Sequence, residues 1–133
     1  MADVLVVDDD PDLREVLAAI LVGLNHTVRM ARNGEEALAL LDERLPDIVL
    51  LDVEMPVLDG PGTAYRMLIR DMGKENIPII LLSAVIDLHL VAQKVGTPYF
   101  LAKPYAFEAL LPLLDRALAE RRPPHPKSPD AAV

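Results

Sequence analysis

The chain has 133 residues, 13 Lys and Arg against 21 Asp and Glu, and a net charge of −8. That length suits one domain able to bury a core without staples. The absence of Cys excludes disulfides and thiolate metal sites, and the acidity disfavours a nucleic-acid backbone as ligand. Five short apolar runs read as strands: residues 4–7 (VLVV), 27–31 (TVRMA), 47–51 (DIVLL), 78–82 (PIILL) and 99–102 (YFLA). Several are apolar at nearly every position, the pattern of strands covered on both faces. Helical spacing fills the gaps. Leu13, Val16, Leu17, Ile20 and Leu21 form the first helix, with Asp10 as cap and Pro11 at its first position. Asn33-Gly34 opens a second, carrying Ala37, Leu38 and Leu41. Ala64, Met67 and Leu68 mark a third. Leu88, Val91 and Val95 mark a fourth, closed by Gly96, and Phe107, Leu110, Leu111, Leu114 and Leu118 mark a fifth. Pro112 inside that last pattern lacks an N–H donor and is expected to kink or delay the helix.

The order is therefore βαβαβαβαβα, an α/β domain with right-handed crossovers and helices on both faces of a parallel sheet. The domain is expected over residues 1–122. Residues 123–133 hold four prolines and are expected to be a disordered Pro-rich tail or linker. The opening residues do not form a signal peptide, and no apolar run reaches spanning length, so a cytoplasmic protein without membrane contact is expected.

Ligands of open α/β sheets bind at the carboxyl ends of the strands. The first strand ends in Asp8-Asp9-Asp10, the third in Asp52, the fourth in Ser83 and the fifth in Lys103. Clustered carboxylates repel one another and call for a cation. Oxygen donors without His or Cys favour Mg²⁺ or a similar hard ion. A carboxylate can attack phosphorus to form an acyl phosphate, while a hydroxyl and an ammonium hold the remaining phosphoryl oxygens. The set reads as phosphoryl transfer onto an aspartate. Asp10 reads as a helix cap, and His26, His89 and His125 as scattered surface residues.

These residues also carry a family resemblance. The string VLVVDDDP at 4–11 resembles the opening of a response-regulator receiver domain of two-component signalling, close to the chemotaxis regulators. PDIVLLDVEMP at 46–56, followed by Asp59-Gly60, resembles the phosphoacceptor segment. Leu82-Ser83-Ala84 resembles the switch hydroxyl, and Lys103-Pro104 the family's lysine and following proline. Four motifs in order, each at a strand end, make the signal specific.

The resemblance implies a flavodoxin-like doubly wound five-stranded parallel sheet with strand order 2-1-3-4-5. It implies that Asp52 accepts the phosphoryl group and that Asp8, Asp9, Asp52 and the main-chain carbonyl of Glu54 hold Mg²⁺. Ser83 would bind a phosphoryl oxygen and Lys103 would pair with the phosphate or with Asp52. Without phosphate, the Glu54 side chain would pair with Lys103. The Lys103–Pro104 bond would be cis. The donor would be a histidine kinase or phosphotransfer protein. The chain would act as a signalling switch, not an enzyme beyond catalysing its own phosphorylation and dephosphorylation. Its output would be an unknown downstream protein, or a second copy, met through the fourth helix, fifth strand and fifth helix. Departures fall near that face. Three residues before the lysine, where the family usually has Tyr or Phe, stands Phe100, which has no hydroxyl to donate; Tyr99 should point to the opposite face, and the fourth helix should be short or irregular. Two rival readings remain: a degenerate receiver acting as a scaffold, and a haloacid-dehalogenase-like phosphatase with Asp8 as nucleophile and Asp10 as acid/base.

Overall fold

A computed structural model describes residues 1–53, 62, 63, 66 and 76–125. Five strands form in the expected runs: β1 (Asp3–Val7), β2 (Thr27–Ala31), β3 (Ile48–Leu51), β4 (Ile79–Ser83) and β5 (Phe100–Ala102). They pair in parallel in the order β2-β1-β3-β4-β5. The three central strands are almost wholly buried, which explains their unbroken apolar sequences.

Alternation along these strands divides the core in two. Val4, Val6, Ile48, Leu50, Ile80 and Leu82 face Leu17 and Leu21 of α1 (Pro11–Gly23) and Leu110, Leu114 and Ala117 of α5 (Phe107–Glu120). Leu5, Val7, Val49, Leu51, Ile79 and Leu81 face α2 (Gly34–Glu43) and α4 (Leu88–Val95). Gly62, Thr63 and Arg66 are helical, where the third helix is expected; Ala64, Met67 and Leu68, read as its apolar marks, lie outside the described residues. Each fully buried Leu or Ile contributes roughly 1.5–3 kcal/mol, so the central strands anchor the domain.

The first two helices start on side-chain caps. Asp10 accepts from the N–H groups of Asp12 and Leu13, at 3.0 and 3.4 Å, and Asn33 accepts from Glu36 at 2.8 Å. By contrast, Asp87 at the start of α4 makes no side-chain cap bond, and that helix has only 8 residues, short as expected. It ends at Gly96 in the left-handed region (φ +77), as its sequence position suggests.

Two features bear on the sequence expectations. Pro112 sits within α5 without delaying it, since the helix begins at Phe107 and runs to Glu120. Pro112 is exposed, so water can take up the carbonyl its missing N–H leaves unbonded. Contacts also reach residues 124 and 125. Pro124 is buried, and the His125 N–H donates to the Gly96 carbonyl at 3.1 Å. A Cβ at position 96 would collide with the His125 backbone, so both φ and proximity demand glycine there. Residues 126–133 lie outside the described ones. Among the described residues, no helix is long and apolar enough to cross a membrane.

Candidate functional site

Three residues at the rim are clamped through their main chains by the neighbouring strand. The Asp8 N–H donates to Ala31 O at 3.1 Å, the Asp52 N–H to Val7 O at 2.9 Å and the Lys103 N–H to Ser83 O at 2.8 Å. The sheet ladder is thus carried one residue beyond the strand ends, onto the residues that matter chemically. Alternation then sorts the side chains. Asp8 follows Val6 in phase, Asp52 follows Leu50, and Lys103 follows Leu101, all on the α1–α5 side. Ser83 is in phase with Ile79 and Leu81, and pairs with Ala102 on the side of α4.

The acids converge. One carboxylate oxygen from each of Asp8, Asp9 and Asp52 lies within 4.8 Å of the others. Asp8 and Asp52 are buried and Asp9 is exposed, so the cluster opens to solvent on one side. Lys103 Nζ stands 2.7 Å from Asp8 Oδ2 and 3.7 Å from Asp52 Oδ2. The Asp10 N–H donates to Asp8 Oδ1 at 3.0 Å, and Arg14 Nη1 donates to the Asp8 carbonyl at 2.6 Å. One ammonium against three carboxylates leaves excess negative charge. An oxygen-only donor set of this kind fits a small hard cation such as Mg²⁺. Glu54, expected to supply a carbonyl ligand and a partner for Lys103, lies outside the described residues. The described partners of the Lys103 ammonium are Asp8 and Asp52.

Ser83 is buried at the end of β4, and its Oγ accepts the Val85 N–H at 3.3 Å. On β5 the two aromatics diverge as alternation requires. Phe100 is 40% exposed, whereas Tyr99 is fully buried. The Tyr99 hydroxyl donates to Glu120 Oε1 at 2.7 Å, and the Arg116 guanidinium lies 5.4 Å from its ring centroid. Burial, reinforced by the Glu120 carboxylate, raises the Tyr99 phenol above its ordinary value, while the same hydrogen bond lowers Glu120.

Two neighbours escaped the sequence reading. Arg14 braces the Asp8 carbonyl from α1; its place one helical turn after the Asp10 cap was the available signal. Tyr105 follows the cis Lys103–Pro104 bond and packs edge-on against Phe107, with centroids 6.1 Å apart. Its hydroxyl is buried and has no hydrogen-bond partner among the described residues. Desolvation, then the Asp8 charge, pushes the phenol up to about 12. Tyr105 lines a cleft of about 350 Å³ with Leu13, Ala84, Lys103, Pro104 and Phe107.

Residues 4–115 match the family described as response regulator receiver domain. The chain is 38% identical over 130 residues to the response regulator MprA of Mycobacterium sp. (strain KMS), covering 96% of this chain and 54% of that protein. It is 35% identical over 133 residues to the transcriptional regulatory protein ZraR of Salmonella typhimurium, covering 98% of this chain and 30% of that one. The chain thus spans about a third to a half of these relatives. Among solved structures, the chemotaxis response regulator CheY4 of Vibrio cholerae superposes with a TM-score of 0.78 at 31% identity, over 87% of this chain and 98% of that one.

Proposed function

Since this chain belongs to the response regulator receiver domain family, a family of signalling domains, we propose that it is a working phosphorylation switch with Asp52 as phosphoacceptor. The observation that carries the reading is the Lys103 ammonium, 2.7 Å from Asp8 and 3.7 Å from Asp52, beside three converging carboxylates. In this reading an Asp52 carboxylate oxygen attacks the phosphorus of a phosphohistidine on a histidine kinase or phosphotransfer protein. The new O–P bond forms as the N–P bond breaks, and its electron pair stays with the leaving imidazole. Lys103 and Ser83 hold phosphoryl oxygens as charge spreads over them. Asp8, Asp9, Asp52 and the Glu54 carbonyl would hold Mg²⁺, which when bound neutralises charge on the transferring group. The same residues support autophosphorylation from a small acyl phosphate and later hydrolysis by water. A kinase supplied with ATP places this work in the cytoplasm.

Output follows from phase. Ser83 and Phe100 share the side of the sheet that carries α4. Drawing Ser83 towards a phosphoryl oxygen frees room for Phe100 to turn inward, which alters the α4-β5-α5 surface. That surface meets a downstream protein or a second copy of the chain. Ile86 and Leu90 are exposed there, at 97% and 51%.

Neither rival is favoured. A scaffold-only receiver has no need for the complete acid, hydroxyl and ammonium set. In a haloacid-dehalogenase-like phosphatase Asp10 would serve as acid/base, yet its carboxylate is exposed and caps α1. Acetyl phosphate with Mg²⁺ should add one phosphoryl mass to the protein, and Asp52→Asn should abolish it. Full labelling of that variant would overturn the assignment.

A further inference from the structure

Beyond α5 the chain returns to the end of α4. The α5 helix stops at Glu120, and Arg121 in the left-handed region (φ +53) closes it, its N–H donating to Ala117 O at 2.9 Å. Pro124 is buried, and the His125 N–H reaches the carbonyl of Gly96, just past α4, at 3.1 Å. The fit leaves no room for a Cβ on Gly96, which would collide with the His125 backbone. Because α5 and α4 pack on opposite faces of the sheet, residues 123–125 tie one face to the other around the edge strand β5.

The two ends of α4 are held unequally. Its start at Asp87 has no side-chain cap. At its end the N–H groups of Gly96 and Thr97 both donate to Ala92 O, and Thr97 Oγ1 donates to Ile79 O at 2.6 Å. The tie grips this firm end, where close packing leaves little room for displacement. With the tie docked, Ser83 Oγ accepts from the Val85 N–H and Phe100 is outward. We propose that residues 123–125 are a latch that holds the α4-β5-α5 face in this outward arrangement and lets go when Asp52 is phosphorylated. Movement of Ser83 shifts the loop that leads into α4, and a shift of α4 relative to α5 separates Gly96 from His125. Linkage then works in both directions: undoing the latch tightens binding of a phosphoryl group at Asp52.

This inference rests on the phosphoacceptor reading above, and beryllofluoride with Mg²⁺ separates the two. The full chain is compared with two variants that undo the latch from opposite sides, by calorimetric titration with beryllofluoride at fixed Mg²⁺. Pro124→Asp puts a charge into the buried seat. Gly96→Asn supplies a residue that tolerates the left-handed end of α4 but adds the Cβ that collides with His125. Both should lower the beryllofluoride Kd about fivefold, and in the parent beryllofluoride should speed exchange of the His125 amide, read by NMR, by about the same factor. A Kd within about twofold of the parent in either variant overturns the proposal while leaving Asp52 as phosphoacceptor, whatever the melting temperature does, because the contact would then serve the fold alone. A raised Kd, or a His125 amide indifferent to beryllofluoride, also overturns it. Failure of the parent chain to bind beryllofluoride overturns both readings.

Discussion

The acid rim and the α4–β5 edge are built to different standards. At the rim Asp8, Asp52 and Ser83 are buried, and the main chains of Asp8, Asp52 and Lys103 are each tied to the next strand. Along the edge, α4 lacks a side-chain cap, β5 has only 3 residues, and Ile86, Leu90 and Phe100 are exposed. Chemistry needs fixed distances, and the central strands supply them. In the proposed switch, the surface that changes shape is the one built from elements with little holding them.

The sharpest way to break this contrast is to exchange the roles of the two regions. Asp52→Asn should abolish phosphoryl labelling by acetyl phosphate, whereas Phe100→Ala should leave the extent of labelling within about twofold. Intact-protein mass spectrometry reads both, and a strong loss in Phe100→Ala would show that the edge takes part in the chemistry. The metal comes next. Asp9→Ala should weaken Mg²⁺ binding about tenfold or more by calorimetry. Added Mg²⁺ should also raise the melting temperature of the parent chain, since a ligand of the folded state stabilises it by mass action. An unchanged Mg²⁺ affinity in Asp9→Ala would remove that residue from the site.

Stability sharpens the comparison further. Leu50→Ala in β3 should cost about 2–5 kcal/mol in urea unfolding, against less than about 0.5 kcal/mol for Leu90→Ala on α4. Equal losses would mean that the edge is as firmly packed as the centre. The caps give a smaller version of the same test. Asp10→Ala should cost about 1 kcal/mol and Asp87→Ala close to nothing, because of the two only the Asp10 side chain accepts N–H bonds from its helix. The last expectation concerns alkaline pH. The Tyr105 phenol is raised from 10.0 to about 12 in the folded chain. Its contribution to stability is therefore fully present below pH 10 and lost as pH rises through 12. Tyr105→Phe should flatten that part of the limb, measured by unfolding at a series of alkaline pH values. Tyr99, raised as well, should keep the rest.

The contrast also explains what could be read in advance. Apolar runs located the strands because both faces of β1, β3 and β4 are covered, leaving no ambiguity of period. Asp8, Asp9, Asp52, Ser83 and Lys103 were legible as strand-end residues, and their roles came from resemblance. Strand order also came from resemblance, since chain order alone does not fix which strands adjoin. What escaped was contact between distant segments. The burial of the Tyr105 hydroxyl, without a partner among the described residues, and the docking of His125 on Gly96 leave no local pattern of charge or spacing. Pro112 does not delay α5, because an exposed position on a well-packed helix tolerates an interior proline.

The hydrogen bond from Lys103 to Asp8 joins residues 95 apart in sequence. A chain growing on the ribosome therefore displays all three acids before the ammonium that compensates them has been made. Synthesis at roughly 5–20 residues per second makes that interval seconds long. Throughout it, β1 and β3 can pair, but the cluster they assemble is self-repelling. Only the docking of β5, at the sheet edge, brings the Lys103 ammonium. Under the proposed function, a nascent or truncated chain ending before Lys103 carries Asp52 without the ammonium that stands 3.7 Å from it.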